Sequence, residues 1–289
     1  MSRGSIAIVT DSSADLGEVA ARDGIVVVPL RIRFGAADYE DGIDLNSAEF
    51  YAKLRSERDL PQTAQPAPAA FAEVYRSLLA QGAAHVVSLH LSGKLSGTVN
   101  AARLAAAQVG GDRISVIDTG SVSGGLGMLA LHAQRRAAQG GSLESVRALL
   151  ADLTARLWLR ATIPNLTYLA RGGRIGQLRG LLGNVLRVVP ILTLSDGEVK
   201  ECAKVRTFGR AVDYMVEAMK SALSGSVGVW PPGSGVRCVV IHAIATELAQ
   251  SIARRLHDVI PAQDMMICGV GPTVGTHAGP GAAGVFCLI

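Results

Sequence analysis

Short apolar segments alternate with helical segments through the first half of the chain, and this pattern constrains the fold more than any other feature. The apolar, strand-like segments are SIAIVT (5–10), HVVSLHL (85–91) and RISVID (113–118). Each is followed by a segment with the apolar spacing of a helix. Because parallel strands need a long crossover between them, usually a helix, the alternation predicts a mostly parallel sheet with helices on both faces.

The segment between the first two of these strands has a different β signal. IVVVPLRIRF (25–34) is rich in β-branched residues, and GAADYEDGIDL (35–45) has the composition of a hairpin with Asp41-Gly42 as its turn. Asn46 and Glu49 have the spacing of a capping box, which predicts a helix that begins there.

The second half mixes hairpins with helices. Asp196-Gly197 is predicted to be the turn of a hairpin, because apolar runs flank it on both sides. Helices are predicted over 142–156, 178–187, 208–223 and 245–258, and strands over 236–243 and 264–270. The predicted fold class is therefore α/β with two domains. Residues 1–157 form an N-terminal domain with a mostly parallel sheet and flanking helices, and residues 158–289 form a C-terminal α+β domain.

Composition narrows the class of protein. A chain of 289 residues that is 49% hydrophobic and 18% charged can bury a large core. Its net charge is +4, but no basic run is interleaved with aromatic residues, so no nucleic-acid partner is predicted. Arg179 and Arg187 interrupt the most apolar region, which argues against stable membrane insertion. The apolar run near the N-terminus is too short for a signal peptide, and we expect a cytoplasmic protein.

The four cysteines carry no metal or redox signature. Cys202, Cys238, Cys268 and Cys287 are at least 19 residues apart, and no C-x-x-C pair occurs. Neither a zinc site nor a redox dithiol is predicted. We expect four reduced, buried thiols.

Polar side chains follow several predicted strands of the first half. The segments are Thr10 to Ser13, LSGKLSGT (91–98) and Asp118-Thr119. Ligands of open α/β sheets bind beyond the carboxyl ends of the strands. Neither G-x-G-x-x-G nor G-x-x-x-x-G-K-[ST] follows any of these strands, so no nucleotide cofactor is predicted.

The loop LSGKLSGT enters a predicted helix through two glycines, a geometry that binds carboxylate or phosphate groups. Ser92 would supply a hydroxyl there. The alternative is ordinary N-capping by Ser96 and Thr98, which we favour for Ser96.

Two later segments could also meet an anion. LARGGRIG (169–176) has Arg171 and Arg174 around two glycines, and these arginines either bind phosphate or are solvated at the surface. GPTVGTHAGPGAAGVF (271–286) is predicted to be a glycine-rich loop around His277. That histidine is a hydrogen-bonded loop residue, a general base or a donor to an anion. No second ligand lies nearby in sequence, so a metal site is not predicted.

Taken in order, the motifs resemble those of the DegV family of bacterial fatty-acid-binding proteins, which includes the binding subunits of fatty acid kinase. The resemblance extends over almost the whole chain. It rests on IAIVTDSSADL, VVPLRIRFGAADYEDGIDL, TAQPAP, LSGKLSGT, ISVIDTGSVSGGLG, YLARGGRIG, PILTLSDGEV with KVRT, and GTHAGPGAAGV. It implies two α/β domains, with an acyl chain buried between or within them and its carboxylate held near the surface.

The same resemblance implies roles for individual residues. The carboxylate ligands would be Thr63, Ser92, the backbone N–H of Gly93, and His277. The family usually has serine where this chain has Gly93, so a side-chain contact is lost there and a backbone donor remains. Two arginines, Arg171 and Arg206, would face the head group or a docked kinase.

The protein would then be a lipid-binding, presenting protein with no cofactor and no catalytic residue of its own. A fatty acid kinase ATP-binding subunit would be its partner. Two alternatives stay open. One is a serine hydrolase or acyltransferase that uses Ser92 and His277 with Asp11 or Asp118, although Ser92 is not in a G-x-S-x-G elbow. The other is a binding module for another small anionic metabolite. The sequence does not separate tunnel lining from core in its apolar runs.

Overall fold

The structure is a computed structural model, and it describes residues 6–57, 59–176, 178, 188–224 and 235–289. Apart from Leu178, the helix predicted over 178–187 lies outside the described residues.

The first half alternates strands and helices. Its strands are β1 (Ile6–Asp11), β2 (Val26–Val28), β3 (Arg31–Phe34), β4 (Ala37–Glu40), β5 (Gln62–Ala64), β6 (His85–His90) and β7 (Ile114–Asp118). Its helices are α1 (Glu18–Asp23), α2 (Ser47–Ser56), α3 (Pro68–Ala80), α4 (Thr98–Val109), α5 (Ser123–Ala138) and α6 (Leu143–Arg156).

A parallel sheet of four strands has the order β2-β1-β6-β7, and every pairing in it is parallel. Its two faces are covered by different helices. Val9 and Val86 pack with α3 and α4 on one face, whereas Ile8 and Val87 pack with α5 on the other. All four side chains are fully buried, as short apolar strands of a covered parallel sheet should be. The predicted sheet with helices on both faces is confirmed.

The predicted strand over 25–34 is two strands. After β2 the chain leaves the parallel sheet at Pro29, and β3 pairs with β4 and β5 in a small antiparallel sheet. The turn predicted at Asp41-Gly42 is present after β4, with Gly42 at φ 79°, but the β3–β4 hairpin itself turns at Gly35 and Ala36. Asp41 is buried at that second turn and accepts hydrogen bonds from a distant helix. The capping box of Asn46 and Glu49 is confirmed.

The second half adds β8 (Leu157–Thr162), β9 (Val189–Ser195), β10 (Glu198–Val205), β11 (Cys238–His242), β12 (Met265–Gly269) and β13 (Ala283–Leu288). Its helices are α7 (Thr167–Arg171), α8 (Phe208–Ser224), α9 (Thr246–Leu256) and α10 (Pro272–Ala278). The strands form a mixed, six-stranded sheet of order β10-β9-β8-β13-β11-β12, in which β11 and β12 are parallel and the other pairs are antiparallel. The Asp196-Gly197 turn is confirmed between β9 and β10, and both residues have positive φ (56° and 76°).

Helix α5 packs between the two sheets. A Cβ at Gly124 would approach Val239 of β11 to 2.6 Å, and one at Gly127 would approach the Ala14 carbonyl, just after β1, to 2.5 Å. Small residues of α5 therefore allow it to approach both halves closely. The chain passes from α6 into β8 at residue 157, and a domain boundary there remains our proposal.

Two further predictions need correction. Residues 271–286 are not one loop, since they contain α10 and most of β13. The helix forms despite its glycines because Pro272 starts it and acidic side chains bind its first N–H groups. The strand forms because the apolar AGVFCL run is buried in the sheet. The structure also joins Cys238 and Cys287 across β11 and β13, and of the two free cysteines Cys202 is exposed and Cys268 is buried. The prediction of four reduced, buried thiols therefore holds for Cys268 alone.

Candidate ligand-binding site

An apolar cavity of about 410 Å³ lies between the six-stranded sheet and the elements of the first half. We call it the apolar cavity. Its hydrophobic lining includes Leu91, Leu159, Leu192, Leu194, Ile241 and Phe286. Its volume is within the range of about 300–1,000 Å³ that is usual for small-molecule sites. An apolar chain placed here would gain about 0.8 kcal/mol for each methylene removed from water.

Thr63 and His277 meet on one side of this cavity. Thr63 Oγ1 lies 2.9 Å from His277 Nε2. Strand β5 places Thr63 there through its pairing with β3, in which Thr63 is opposite Ile32. Helix α10 contributes His277 from the other half of the chain. Two residues that are 214 positions apart in sequence therefore form one hydrogen-bonded pair at the cavity wall.

The environment of His277 keeps its ring neutral. Burial first, and then the charge of the nearby Arg174 guanidinium, together lower the pKa of His277 to about 4. At neutral pH, therefore, one ring nitrogen of His277 carries a proton and the other does not. Among the described residues, His277 Nδ1 is buried without a hydrogen-bond partner. Gly172 makes this packing feasible, because a Cβ at that position would collide with the His277 ring.

Two buried carboxyl groups from the first half hold the start of α10. The Gly271 N–H donates to Asp15 Oδ1 at 2.9 Å, and the Thr273 N–H donates to Asp41 Oδ2 at 3.2 Å. Burial raises the pKa of Asp15 to about 8 and that of Asp41 to about 6. Ser123, at the start of α5, also donates to Asp15 and lines the apolar cavity. The position of His277 thus depends on acidic residues from the other half.

Arg174 lines the apolar cavity. The two arginines that the family resemblance assigned to the head group or a docked kinase, Arg171 and Arg206, are not among its lining residues. Arg174 Nε donates to the Leu95 carbonyl at 3.0 Å, and one terminal nitrogen donates to the Gly172 carbonyl at 2.6 Å. Arg171 is exposed at the end of α7, and Arg206 is exposed after β10. The R-G-G-R motif therefore contains an arginine of the cavity wall, but it is Arg174 and not Arg171. Helix α7 ends at Arg171, and the chain turns through the two glycines before it reaches Arg174.

Ser92 lines a second cavity of about 480 Å³, which we call the polar cleft, and so does Asp118, to which the next residue, Gly93, is bonded. Ser92 is almost fully buried, and its Oγ donates to the Gly197 carbonyl at 2.7 Å. The Gly93 N–H donates to the Asp118 carboxylate, 3.2 Å from either oxygen. The structure therefore separates this pair from Thr63 and His277.

Later residues of the same loop do reach the apolar cavity. Leu95, Ser96 and Gly97 line it beside Gln65. Ser96 Oγ accepts a hydrogen bond from the Thr98 N–H at 3.3 Å, but the N-cap residue of α4 is Gly97, so the N-capping role predicted for Ser96 was wrong and its contact is a local turn bond.

The hydrolase alternative finds no support in this geometry. Ser92 and His277 line different cavities, and each has another hydrogen-bond partner. Asp11 instead pairs with His90, whose Nδ1 lies 2.9 Å from Asp11 Oδ2. His90 is also hydrogen-bonded to Ser88, and Ser88 accepts a hydrogen bond from the Tyr75 hydroxyl. This chain of hydrogen bonds is fully buried and was not predicted from the sequence.

Within the described part of the chain, no group of His, Cys, Asp and Glu is arranged to hold a metal ion, and no helix is long and apolar enough to cross a bilayer.

Comparison with known proteins identifies the family. Residues 5–289 match the family described as "Uncharacterised protein, DegV family". The chain belongs to the DegV family. A DegV domain-containing protein of Caldanaerobacter subterraneus is 36% identical over 286 residues, which cover 97% of this chain and 98% of the relative. Another, from Deinococcus radiodurans, is also 36% identical and covers 97% of each chain.

Solved DegV structures share the fold. A DegV family protein from Thermus thermophilus, described by its fatty acid binding, has a TM-score of 0.89 and 34% identity, with 98% of this chain and 99% of that chain covered. DegV from Bacillus subtilis, described as a fatty acid binding protein, has a TM-score of 0.87 and 28% identity, with 99% and 100% covered. A stearic-acid-binding protein from Eubacterium ventriosum has a TM-score of 0.85 and 25% identity, with 96% of each chain covered.

Proposed function

We propose that this protein binds a long-chain fatty acid, with the acyl chain in the apolar cavity and the carboxylate at Thr63 and His277. The observation that carries the proposal is the hydrogen-bonded Thr63–His277 pair at the edge of a cavity that is otherwise mostly apolar. Fatty acid binding by the Thermus, Bacillus and Eubacterium proteins supports the choice of ligand.

The neutral ring of His277 suits this role. With its proton on Nε2, His277 donates to Thr63 Oγ1 and leaves the threonine proton free to donate to a carboxylate. Arg174 supplies positive charge at the same wall without a direct ion pair being required. Hydrogen bonds to a charged group contribute about 1.5–3 kcal/mol each, enough to offset part of the desolvation of the head group.

We extend the proposal to presentation of the bound acid to a separate kinase. A carboxylate is already a nucleophile at neutral pH, so this chain need supply no base, no cofactor and no catalytic residue. The kinase would bring ATP and magnesium and position the phosphoryl group. Exposed Arg171 and Arg206 are available to a docked protein. Ser92 and Gly93 remain predicted carboxylate ligands only if the loop after β6 rearranges on binding.

The first test is mass spectrometry of the purified protein, native and after solvent extraction. One fatty acid per chain is the expected result. If no lipid is found, even after incubation with a mixed fatty-acid pool, the proposal fails. The kinase step has its own test. An acyl phosphate should form when the loaded protein is mixed with a bacterial fatty acid kinase ATP-binding subunit and Mg-ATP. If no such subunit gives a product, the kinase step is wrong, and the proposal of fatty-acid binding is unaffected.

A further inference from the structure

The apolar cavity reaches the surface where the chain leaves β5. Of the described residues that line it, only Ala64 and Gln65 are exposed, and the others are buried or half-buried. Gln65 lies two positions after Thr63, so an extended chain places both side chains on the same side, about 7 Å apart at their Cα atoms. Pro66, which is buried, favours that extended conformation at Gln65. The mouth of the cavity is therefore beside the proposed carboxylate ligand Thr63.

The Gln65 side chain extends from this segment to Gly97, the N-cap residue of α4. A Cβ at Gly97 would collide with the Gln65 amide, and the three atoms nearest to that Cβ all belong to Gln65. Gly97 has φ −75° and ψ 4°, which any residue can adopt, so glycine is needed there for space and not for backbone conformation. Because Gly97 also lines the cavity, the Gln65 amide lies at the rim of the mouth.

The Gln65 amide is available to a ligand. It makes no hydrogen bond to another residue in the part of the chain that the structure describes. Its NH₂ group carries two donors, and a carboxylate accepts on both of its oxygens. With hydrogen bonds of about 2.9 Å on either side, one carboxylate can bridge Thr63 and Gln65. The amide adds no charge, so the carboxylate would be held without an ion pair.

We propose that Gln65 is a head-group ligand at the mouth of the apolar cavity. Its side-chain amide donates to the outward-facing oxygen of a long-chain carboxylate, whereas Thr63 donates to the inner oxygen. Gly97 leaves the space in which the amide lies. The inference rests on the proposed fatty-acid function and adds a third side chain to Thr63 and His277.

The first test replaces Gln65 with methionine, which has a similar length but no amide. On delipidated protein, Gln65→Met should weaken the binding of hexadecanoic acid about tenfold in titration calorimetry. Gln62→Met is the matched control, because Gln62 is also an exposed glutamine, at the start of β5, but does not line the cavity. It should leave the affinity unchanged.

The possible results separate the inference from the proposed function. If Gln65→Met binds the acid as tightly as the unmodified protein does, the inference is wrong and the proposed function stands. If the unmodified protein does not bind the acid, the proposed function fails and the inference fails with it.

The carboxyl group of the ligand distinguishes a head-group ligand from a residue that only shapes the mouth. With hexadecanoic acid labelled with carbon-13 at the carboxyl carbon, the NMR resonance of the bound acid should shift in Gln65→Met and stay in place in Gln62→Met. A loss of affinity in Gln65→Met without a shift of that resonance would contradict the inference.

Gly97→Ala tests the position of the amide. The new methyl group should displace the amide and weaken binding by about the same factor as Gln65→Met does. In a Gln65→Ala background the same substitution should have no further effect, because no amide remains to be displaced. Equal effects of Gly97→Ala in the two backgrounds, including no effect in either, would contradict the inference.

Discussion

Thr63 Oγ1 and His277 Nε2 lie 2.9 Å apart, and the two residues come from opposite halves of the chain. The pair joins strand β5 to helix α10. Two carboxyl groups that are distant in sequence hold the start of this helix. The geometry of the pair leads to the first prediction.

Thr63→Val and His277→Ala should each weaken fatty-acid binding by about tenfold to a hundredfold, the equivalent of one hydrogen bond to a charged group. Because His277 acts by orienting the Thr63 hydroxyl, the double variant should lose little more than either single one. Titration calorimetry on the delipidated proteins measures all four affinities. Fully additive losses would show that the two side chains act independently.

Gly172→Ala should displace His277 and reduce ligand affinity. The backbone at Gly172 (φ −71°) accepts any residue, so the main effect is the collision of the new methyl group with the His277 ring. Gly173→Ala is the control, because a Cβ there meets nothing but φ is +72°. It should cost about 1 kcal/mol of stability with affinity retained. Equal affinities for the two variants would argue against the placement of His277.

His277 should not titrate between pH 8 and pH 5, since burial holds its pKa near 4. NMR of the imidazole protons measures this directly. Arg174→Gln removes the nearby positive charge, so the pKa of His277 should rise toward its ordinary value. An unchanged pKa in that variant would mean that burial alone keeps the ring neutral.

The free energy of unfolding should fall as pH rises from 7.5 to 8.5, above the ordinary histidine pKa near which the lowered pKa values of His132, His242 and His277 act in the opposite direction. Burial raises the pKa of Asp15 from 3.8 to about 8, so the folded state binds this proton more tightly than the unfolded state does. Its contribution is complete below pH 3.8 and is lost as pH rises through 8, at up to about 1.4 kcal/mol per pH unit. His277 and Asp41 titrate below this window.

Asp15→Asn resembles the protonated acid and should flatten that slope. Urea unfolding at several pH values provides the measurement. A slope that survives the substitution would have to come from another group.

The parallel sheet could be predicted because its strands are short apolar runs separated by helical spacing, a local signal. The β9–β10 turn and the α2 capping box were predictable for the same reason. The α10 helix was not, since Gly275 and Gly279 argue against a helix when only neighbours are considered. Its formation depends on Asp15 and Asp41, which lie more than 200 positions away.

The site was predictable in part. Family motifs identified Thr63 and His277, and the structure brings them together. They did not separate Arg174 from Arg171, because side-chain direction depends on where α7 ends. Nor could they show that Ser92 lines a different cavity from Leu95, Ser96 and Gly97 of the same loop, since a tight turn sends parts of one loop to opposite sides.

The carboxyl groups of Asp15 and Asp41 cap α10, and α5 packs between the two sheets. The protein should consequently melt as one cooperative unit, with a single calorimetric transition whose van't Hoff and calorimetric enthalpies agree. Neither half expressed alone would contain the site, because each supplies only one member of the Thr63–His277 pair. For the proposed fatty-acid ligand this coupling has a practical result: a chain that has unfolded in either half no longer contains the complete site and should release the ligand.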